Sequence, residues 1–200
     1  MNIKTFTKEE EFIKANLEFL KGAKYVALSG GSTPASTYRA MQDFAAEFFQ
    51  VDERYVPADH PDSNQKMIHE TLQQKFHHFD TSLSIEDALT KYENEIADTT
   101  FDACILGIGP DGHTASLFPH SPALHSTRTV AHSTTDEFAV HDRLTLTFSK
   151  ILASKKLLVL LKNKEETIEK LKNPELSNSE IPAKELLKHP SLQVHHLKNL

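Results

Sequence analysis

The residues best suited to chemistry are Asp111, Gly112, His113 and Thr114, which place an acid, a flexible joint, a base and a hydroxyl in consecutive positions. A histidine can take up a proton near neutral pH, and a nearby carboxylate can fix which ring nitrogen keeps its hydrogen. The plainer alternative is a histidine that caps the helix after it. The glycines favour chemistry: of six in the chain, five lie at positions 30–31 and 107–112. Glycine permits positive φ and lets a backbone approach a ligand closely.

The other glycine loop, Gly30-Gly31-Ser32-Thr33-Pro34, runs into a helical pattern, with Ser or Thr as cap and Pro suited to the first turn. Free backbone N–H groups there, with the two hydroxyls, would hold a phosphate. An ordinary strand-to-helix turn has the same composition. The loop is not a Walker A motif, since no Gly-Lys-Ser/Thr follows, and neither loop has the dinucleotide-fingerprint spacing.

Asp52-Glu53-Arg54 is a pattern common in surface ion pairs, which contribute little alone. Its place after a strand, with one of only four arginines (Arg39, Arg54, Arg128, Arg143), favours an anion-binding role. Arg143 opens the alternating run Arg143-Leu144-Thr145-Leu146-Thr147, which predicts a strand aiming Arg and Thr inward. The planar fork of arginine suits phosphate and carboxylate better than lysine does. Twelve histidines raise the question of a metal. Pairs such as His77-His78 and His195-His196 point apart on a helix or strand. No His-Glu-x-x-His or Cys/His array of zinc spacing occurs, so no metal is expected. Cys104 sits in an apolar run and reads as core.

These loops need a scaffold. Apolar runs predict strands at Lys24–Ser29, Phe48–Val51, Asp102–Leu106, Thr127–His132, Arg143–Thr147, Leu157–Leu161 and Leu192–His196. Helical patterns fall at Lys8–Lys21 (stopped by Gly22), Ala35–Met41, from Ser63 through Leu72, Ile85–Ala97, near Ile151, Glu165–Leu171 and Ala183–Leu187. The polar stretch Asp52–Asp62 reads as a loop and His77–Ser84 as a connection. Alternating strands and helices imply an α/β fold, a mostly parallel sheet flanked by helices on both faces, in a modified Rossmann-like arrangement. In such sheets ligands bind beyond the carboxyl ends of the strands, where both glycine loops begin.

The chain has 200 residues, within the range of one domain, and one domain over 1–200 is expected. A net charge of −6 without long single-sign runs argues against nucleic acid or an anionic membrane as partner. An anionic substrate would then need a local basic pocket. No signal-peptide core or long apolar span is present, and a single cysteine fits a reducing compartment. The expectation is a cytoplasmic protein, a monomer or weak homodimer.

Four segments, taken together, resemble the 6-phosphogluconolactonases of the glucosamine-6-phosphate isomerase/6-phosphogluconolactonase family. They are Leu28 to Pro34; Asp52-Glu-Arg-Tyr-Val-Pro57 with Ser63-Asn64; Gly107-Ile-Gly-Pro-Asp-Gly-His-Thr-Ala-Ser-Leu-Phe-Pro119; and Arg143 to Thr147. The resemblance implies hydrolysis of a small phosphosugar lactone, 6-phosphoglucono-1,5-lactone, with no metal or organic cofactor. It casts His113 as the base that activates water, and Gly31, Ser32 and Thr33 as substrate contacts. Arg54 and Arg143 would bind the anionic end or the oxyanion. Asp111 is a candidate to orient His113, with Asp52 as the alternative, and either Lys162 or Lys164 would reach the phosphate.

The isomerase branch instead carries Asp-Glu-Tyr at 52–54, and a glutamate where Phe118 stands, which cannot relay a proton. A sugar-phosphate-sensing regulator would need a DNA-binding unit, and about 23 residues before the first predicted strand are too few for three helices. One departure from the family is His120, where a glycine commonly follows Leu-Phe-Pro.

Overall fold

The computed structural model describes residues 1–198. In chain order its regular elements are β1 (Asn2–Phe6), α1 (Glu9–Leu20), β2 (Tyr25–Leu28), α2 (Ala35–Arg39), β3 (Glu47–Gln50), β4 (Asp52–Arg54) and α3 (Asn64–Leu72). There follow β5 (Phe76–His77), α4 (Ile85–Glu95), β6 (Ala103–Leu106), β7 (Val130–Thr134), β8 (Asp142–Leu146), α5 (Phe148–Leu152), β9 (Leu157–Lys162), α6 (Glu165–Lys172) and β10 (Leu192–Leu197). Short 3-10 turns occupy Pro122–His125 and Pro182–Lys188.

Seven strands form one sheet in the order β1-β10-β9-β6-β2-β3-β5, every neighbour parallel. Its central strands are apolar on both sides because both faces are covered. In β2, Ala27 packs with Tyr92, Ile96 and the second sheet, while Val26 and Leu28 pack with Phe12, Leu20 and Ile68 of α1 and α3. That alternation is the period-two geometry of a strand. Helix α1 buries Phe12, Asn16 and Leu20, one per turn, and Gly22 ends it at φ +78.

The mostly parallel sheet is as expected, but four segments differ from the expectation. Residues 2–6, not expected to be regular, form an edge strand beside β10. Asp52–Arg54, expected as loop, is a strand, and Thr127–His132 is shifted to Val130–Thr134. Both belong to a separate antiparallel sheet, β4-β8-β7, that the alternation of elements did not distinguish. A three-residue polar strand carries no periodic signal of its own; its pairing with β8 fixes it. The expected helix at Ala183–Leu187 is the 3-10 turn led by Pro182.

The strand order sets the position of the site. From β2 the sheet extends through β3 to one edge and through β6, β9 and β10 to the other. The loops after β2 and β6 therefore part in opposite directions and leave a crevice at the carboxyl edge, the usual ligand position in open α/β sheets.

Candidate active site

That crevice is a cleft of about 260 Å3, walled by the loop after β2 (Ser29 to Pro34), the loop after β6, Asp52, Arg54, Asn64 and Lys164. Among the described residues, the amide groups of Gly30 to Thr33 donate no hydrogen bond within the chain. The hydroxyls of Ser32 and Thr33 are likewise unpaired there. The expected Ser or Thr cap does not form. Pro34 stands at the cap position of a five-residue helix, which leaves both hydroxyls on the cleft wall. Gly30 is glycine of necessity, since a Cβ would fall 1.8 Å from Asn64 Oδ1, and Gly31 adopts φ +96.

The loop after β6 is folded tightly on itself. The Gly109 amide donates to the His113 carbonyl at 2.9 Å, and Thr114 Oγ1 donates to the Gly107 carbonyl at 2.9 Å. A Cβ on Gly109 would lie 2.2 Å from the His113 ring and 2.7 Å from Asp111 Oδ1, so this glycine makes room for the acid–base pair. Asp111 Oδ1 stands 2.6 Å from His113 Nδ1 and also accepts the His113 amide at 3.2 Å. Two residues of separation suffice because Gly112, at φ +88, turns the chain between them. A carboxylate oxygen only accepts, so Nδ1 carries the hydrogen and Nε2 keeps a free lone pair. Burial pushes the Asp111 carboxyl up, but the His113 hydrogen bond and charge outweigh it and hold it below the usual carboxylate range.

Asp52 is occupied otherwise. Its Oδ2 accepts Ser116 Oγ at 2.7 Å, and its carbonyl accepts Asn64 Nδ2 at 2.9 Å. Asp52 thus braces the turn after His113, and the direct partner of the imidazole is Asp111. The imidazole also meets two rings: Phe118 at 4.8 Å between centroids and Phe138 at 5.3 Å.

Glu53 makes no ion pair with the Arg54 guanidinium among the described residues. Its buried carboxylate accepts Gln50 Nε2 and the amides of Asn64 and Gln65, each at 2.7 Å, and the Arg54 amide at 2.8 Å. A carboxylate at the first amides of α3 satisfies donors that a helix leaves open. Burial raises the Glu53 carboxyl above the usual carboxylate range, although the bonds from Gln50, Asn64, Gln65 and Arg54 oppose the shift. The cap holds β4 against α3 and so sets Arg54, whose Nη1 donates to the Asp62 carbonyl at 2.7 Å.

Arg143 lies directly opposite Arg54 in the β4–β8 ladder. Like charges facing across strands repel. Burial first, then the Arg54 charge, lowers the Arg143 pKa, while Asp52, Asp62 and Glu53 oppose that. Arg143 is buried behind the cleft wall rather than in it: its Nε donates to the Val140 carbonyl at 3.0 Å and its guanidinium lies over Phe118. Between the two lysines, Lys164 lines the cleft and the exposed Lys162 does not. The Lys164 Nζ donates to the Ile108 carbonyl at 2.6 Å, and burial lowers its pKa against the pull of Asp111.

Four buried side-chain polar atoms lack a partner among the described residues, and three belong to cleft residues: Ser29 Oγ, Arg54 Nε and Asn64 Oδ1. Buried polar atoms are otherwise almost always paired, so the clustering marks where a polar ligand is accommodated. Among the described residues no group of three or more His, Cys, Asp or Glu is placed to hold a metal ion. No helix among them is long and apolar enough to cross a membrane.

Residues 8–195 match the family model described as glucosamine-6-phosphate isomerases/6-phosphogluconolactonase. The 6-phosphogluconolactonase of Thermotoga maritima is 39% identical over 173 residues, covering 78% of each chain. A probable 6-phosphogluconolactonase of Dictyostelium discoideum is 30% identical over 186 residues, covering 81% of this chain and 79% of that one. Among solved structures, a T. maritima 6-phosphogluconolactonase superposes with TM-score 0.78 at 31% identity over 99% of both chains. A Shewanella baltica enzyme of the same name, at 23% identity, shares the fold with TM-score 0.86 over 100% of this chain and 98% of that one.

Proposed function

The chain belongs to the glucosamine-6-phosphate isomerase/6-phosphogluconolactonase family, and from that premise we propose that it hydrolyses 6-phospho-D-glucono-1,5-lactone to 6-phospho-D-gluconate. The observation that carries the reading is the Asp111–His113 pair at 2.6 Å on the wall of a cleft lined with anion-binding groups.

Nε2 of His113 takes a proton from water as the water oxygen bonds to the lactone carbonyl carbon. The resulting imidazolium is stabilised through Nδ1–H by Asp111. The carbonyl π electrons move onto oxygen, where Arg54 or loop amides meet the developing charge. Collapse breaks the bond to the ring oxygen, which recovers the proton from His113, and the acid product then ionises. A lactone is an activated ester, so no covalent nucleophile is required. The unpaired amides of Gly30 to Thr33, with Ser32, Thr33 and Lys164, form the phosphate end of the cleft. Arg143 acts from behind Arg54, adding positive potential without touching the substrate in this arrangement. No cofactor enters the reaction. We place the protein in the cytoplasm, as one domain acting as a monomer or weak homodimer on a small molecule, with no nucleic-acid partner.

Phe118 separates this reading from the isomerase alternative. It occupies the position of the isomerase glutamate and packs on the His113 ring at 4.8 Å, where a proton relay would have to sit. The test is the rate on freshly generated lactone above the buffer control, since the lactone also opens unaided. Excess rate is expected, with glucosamine 6-phosphate left unchanged; folded protein without excess rate overturns the proposal.

A further inference from the structure

We propose that Phe138, on the β7–β8 connection, is a positioning residue that holds the His113 imidazole at the angle its reaction requires. The proposal rests on the lactonase reading of the cleft. One hydrogen bond, to Asp111 Oδ1 at 2.6 Å, fixes where Nδ1 sits but leaves the ring free to tilt about that bond. Two phenyl rings close the remaining directions: Phe118 at an interplanar angle of 52° and Phe138 nearly perpendicular at 80°. The phenyl rings are also in contact with each other, 5.8 Å apart. The three rings form a closed triangle of mutual contacts.

The connection is built to deliver that ring. At its base the Thr135 amide donates to the His141 carbonyl at 3.1 Å, and His141 Nδ1 meets the Thr135 carbonyl at 3.0 Å. Asp136, Glu137 and Ala139 are exposed while Phe138 turns inward and is half-buried. Two residues after Phe138, the Val140 carbonyl accepts Arg143 Nε at 3.0 Å, and that guanidinium lies over Phe118. The same connection therefore braces the base and the second arginine. A general base works only within hydrogen-bond reach of the proton it removes, and small misplacements cost rate steeply. A ring serving only to anchor the hairpin would support stability and leave turnover alone.

The test compares Phe138→Ala, Phe138→Leu and Phe138→Tyr in steady-state turnover above the buffer rate, with thermal midpoints alongside. Phe138→Ala is expected to lower kcat roughly tenfold with KM within about twofold. Phe138→Tyr should restore most of it and Phe138→Leu should not, because the edge-on contact needs an aromatic ring. If Phe138→Ala does not fold, Phe138→Leu carries the comparison. Wild-type kcat in Phe138→Leu, or a loss confined to KM, overturns the proposal. A second readout needs no activity: the His113 ring-proton NMR signals, assigned by their absence in His113→Gln. They are expected to shift and broaden in Phe138→Leu. Unchanged signals defeat the positioning role even if the wild type proves not to be a lactonase, whereas a wild type without turnover defeats only the reading of the cleft.

Discussion

Two histidines of this fold have nearly the same surroundings and opposite character. His113 in the cleft pairs through Nδ1 at 2.6 Å and lies between Phe118 and Phe138; His195 in β10 pairs through Nδ1 at 2.6 Å and lies between Phe6 and Phe19. The partner differs. Asp111 can share the positive charge of an imidazolium, whereas Asn16 offers a neutral amide whose nitrogen donates in turn to Thr37. His195 is wholly buried, and burial, helped by the charge of Lys4, pushes its pKa down to about 4. His113 retains 20% side-chain exposure and lines the cleft. Both ring nitrogens of His195 have partners, while in the cleft Ser29 Oγ, Arg54 Nε and Asn64 Oδ1 have none among the described residues. What distinguishes the cleft histidine from the packing one is the charge of its partner and the unsatisfied polarity nearby.

The sharpest break of that comparison is His113→Ala, expected to remove the excess rate by a factor on the order of 10²–10⁴ while 6-phosphogluconate still binds within a few-fold. Calorimetric titration with product and the turnover assay separate the two quantities. Asp111→Asn should lower kcat by about a hundredfold, because the amide no longer stabilises the imidazolium. The mirror change, Asn16→Asp, buries a carboxylate and removes the donor to Thr37. It should cost about 2–4 kcal/mol in urea unfolding at pH 7 and leave kcat alone.

Acid tests the same contrast. The folded pKa of His195 is depressed to about 4, so the unfolded chain binds the proton first. The contribution of His195 is complete above its ordinary pKa near 6.5 and is lost as pH falls toward 4, up to about 3 kcal/mol in all. Urea midpoints at pH 7.5 and 5 should diverge in the wild type and converge in His195→Gln. The smallest effect concerns Ala115, which lines the cleft at φ +53. Ala115→Gly should relieve about 1 kcal/mol of left-handed strain, read as a raised thermal midpoint, at a few-fold cost in kcat.

The sequence made the parallel sheet legible because runs such as Leu157–Leu161 are apolar throughout, and it identified the cleft loops by their glycines. It also pointed to His113, Arg54 and the Gly30–Pro34 loop, which line the cleft, and to Asp111, which meets His113 Nδ1. The role of Glu53 was hidden: a carboxylate beside an arginine reads as an ion pair, and only the approach of β4 to α3 makes it a helix cap. Asn64 stood in a family segment but without a role, and Phe138 was missed, since their contacts with Asp52 and His113 join residues apart in the chain. The odd His120 is explained by φ +60: the position favours a glycine, and a histidine there accepts the strain while its side chain meets Ser179 Oγ at 3.1 Å.

The pairing of β1 with β10, which sets Asn2 beside Gln193 and Phe6 beside Leu197, has a consequence for how the molecule is made. The first strand cannot find its place until nearly the whole chain has emerged, so the sheet closes through a contact of very high sequence separation. Folding of this kind is slow relative to helical proteins of equal stability. During that delay the outer edge of β10 stays open to strands of other molecules. Lys4 in β1 and Lys198 just past β10 place charge along that late-closing margin, where a nascent chain has the greatest need to remain apart from its neighbours.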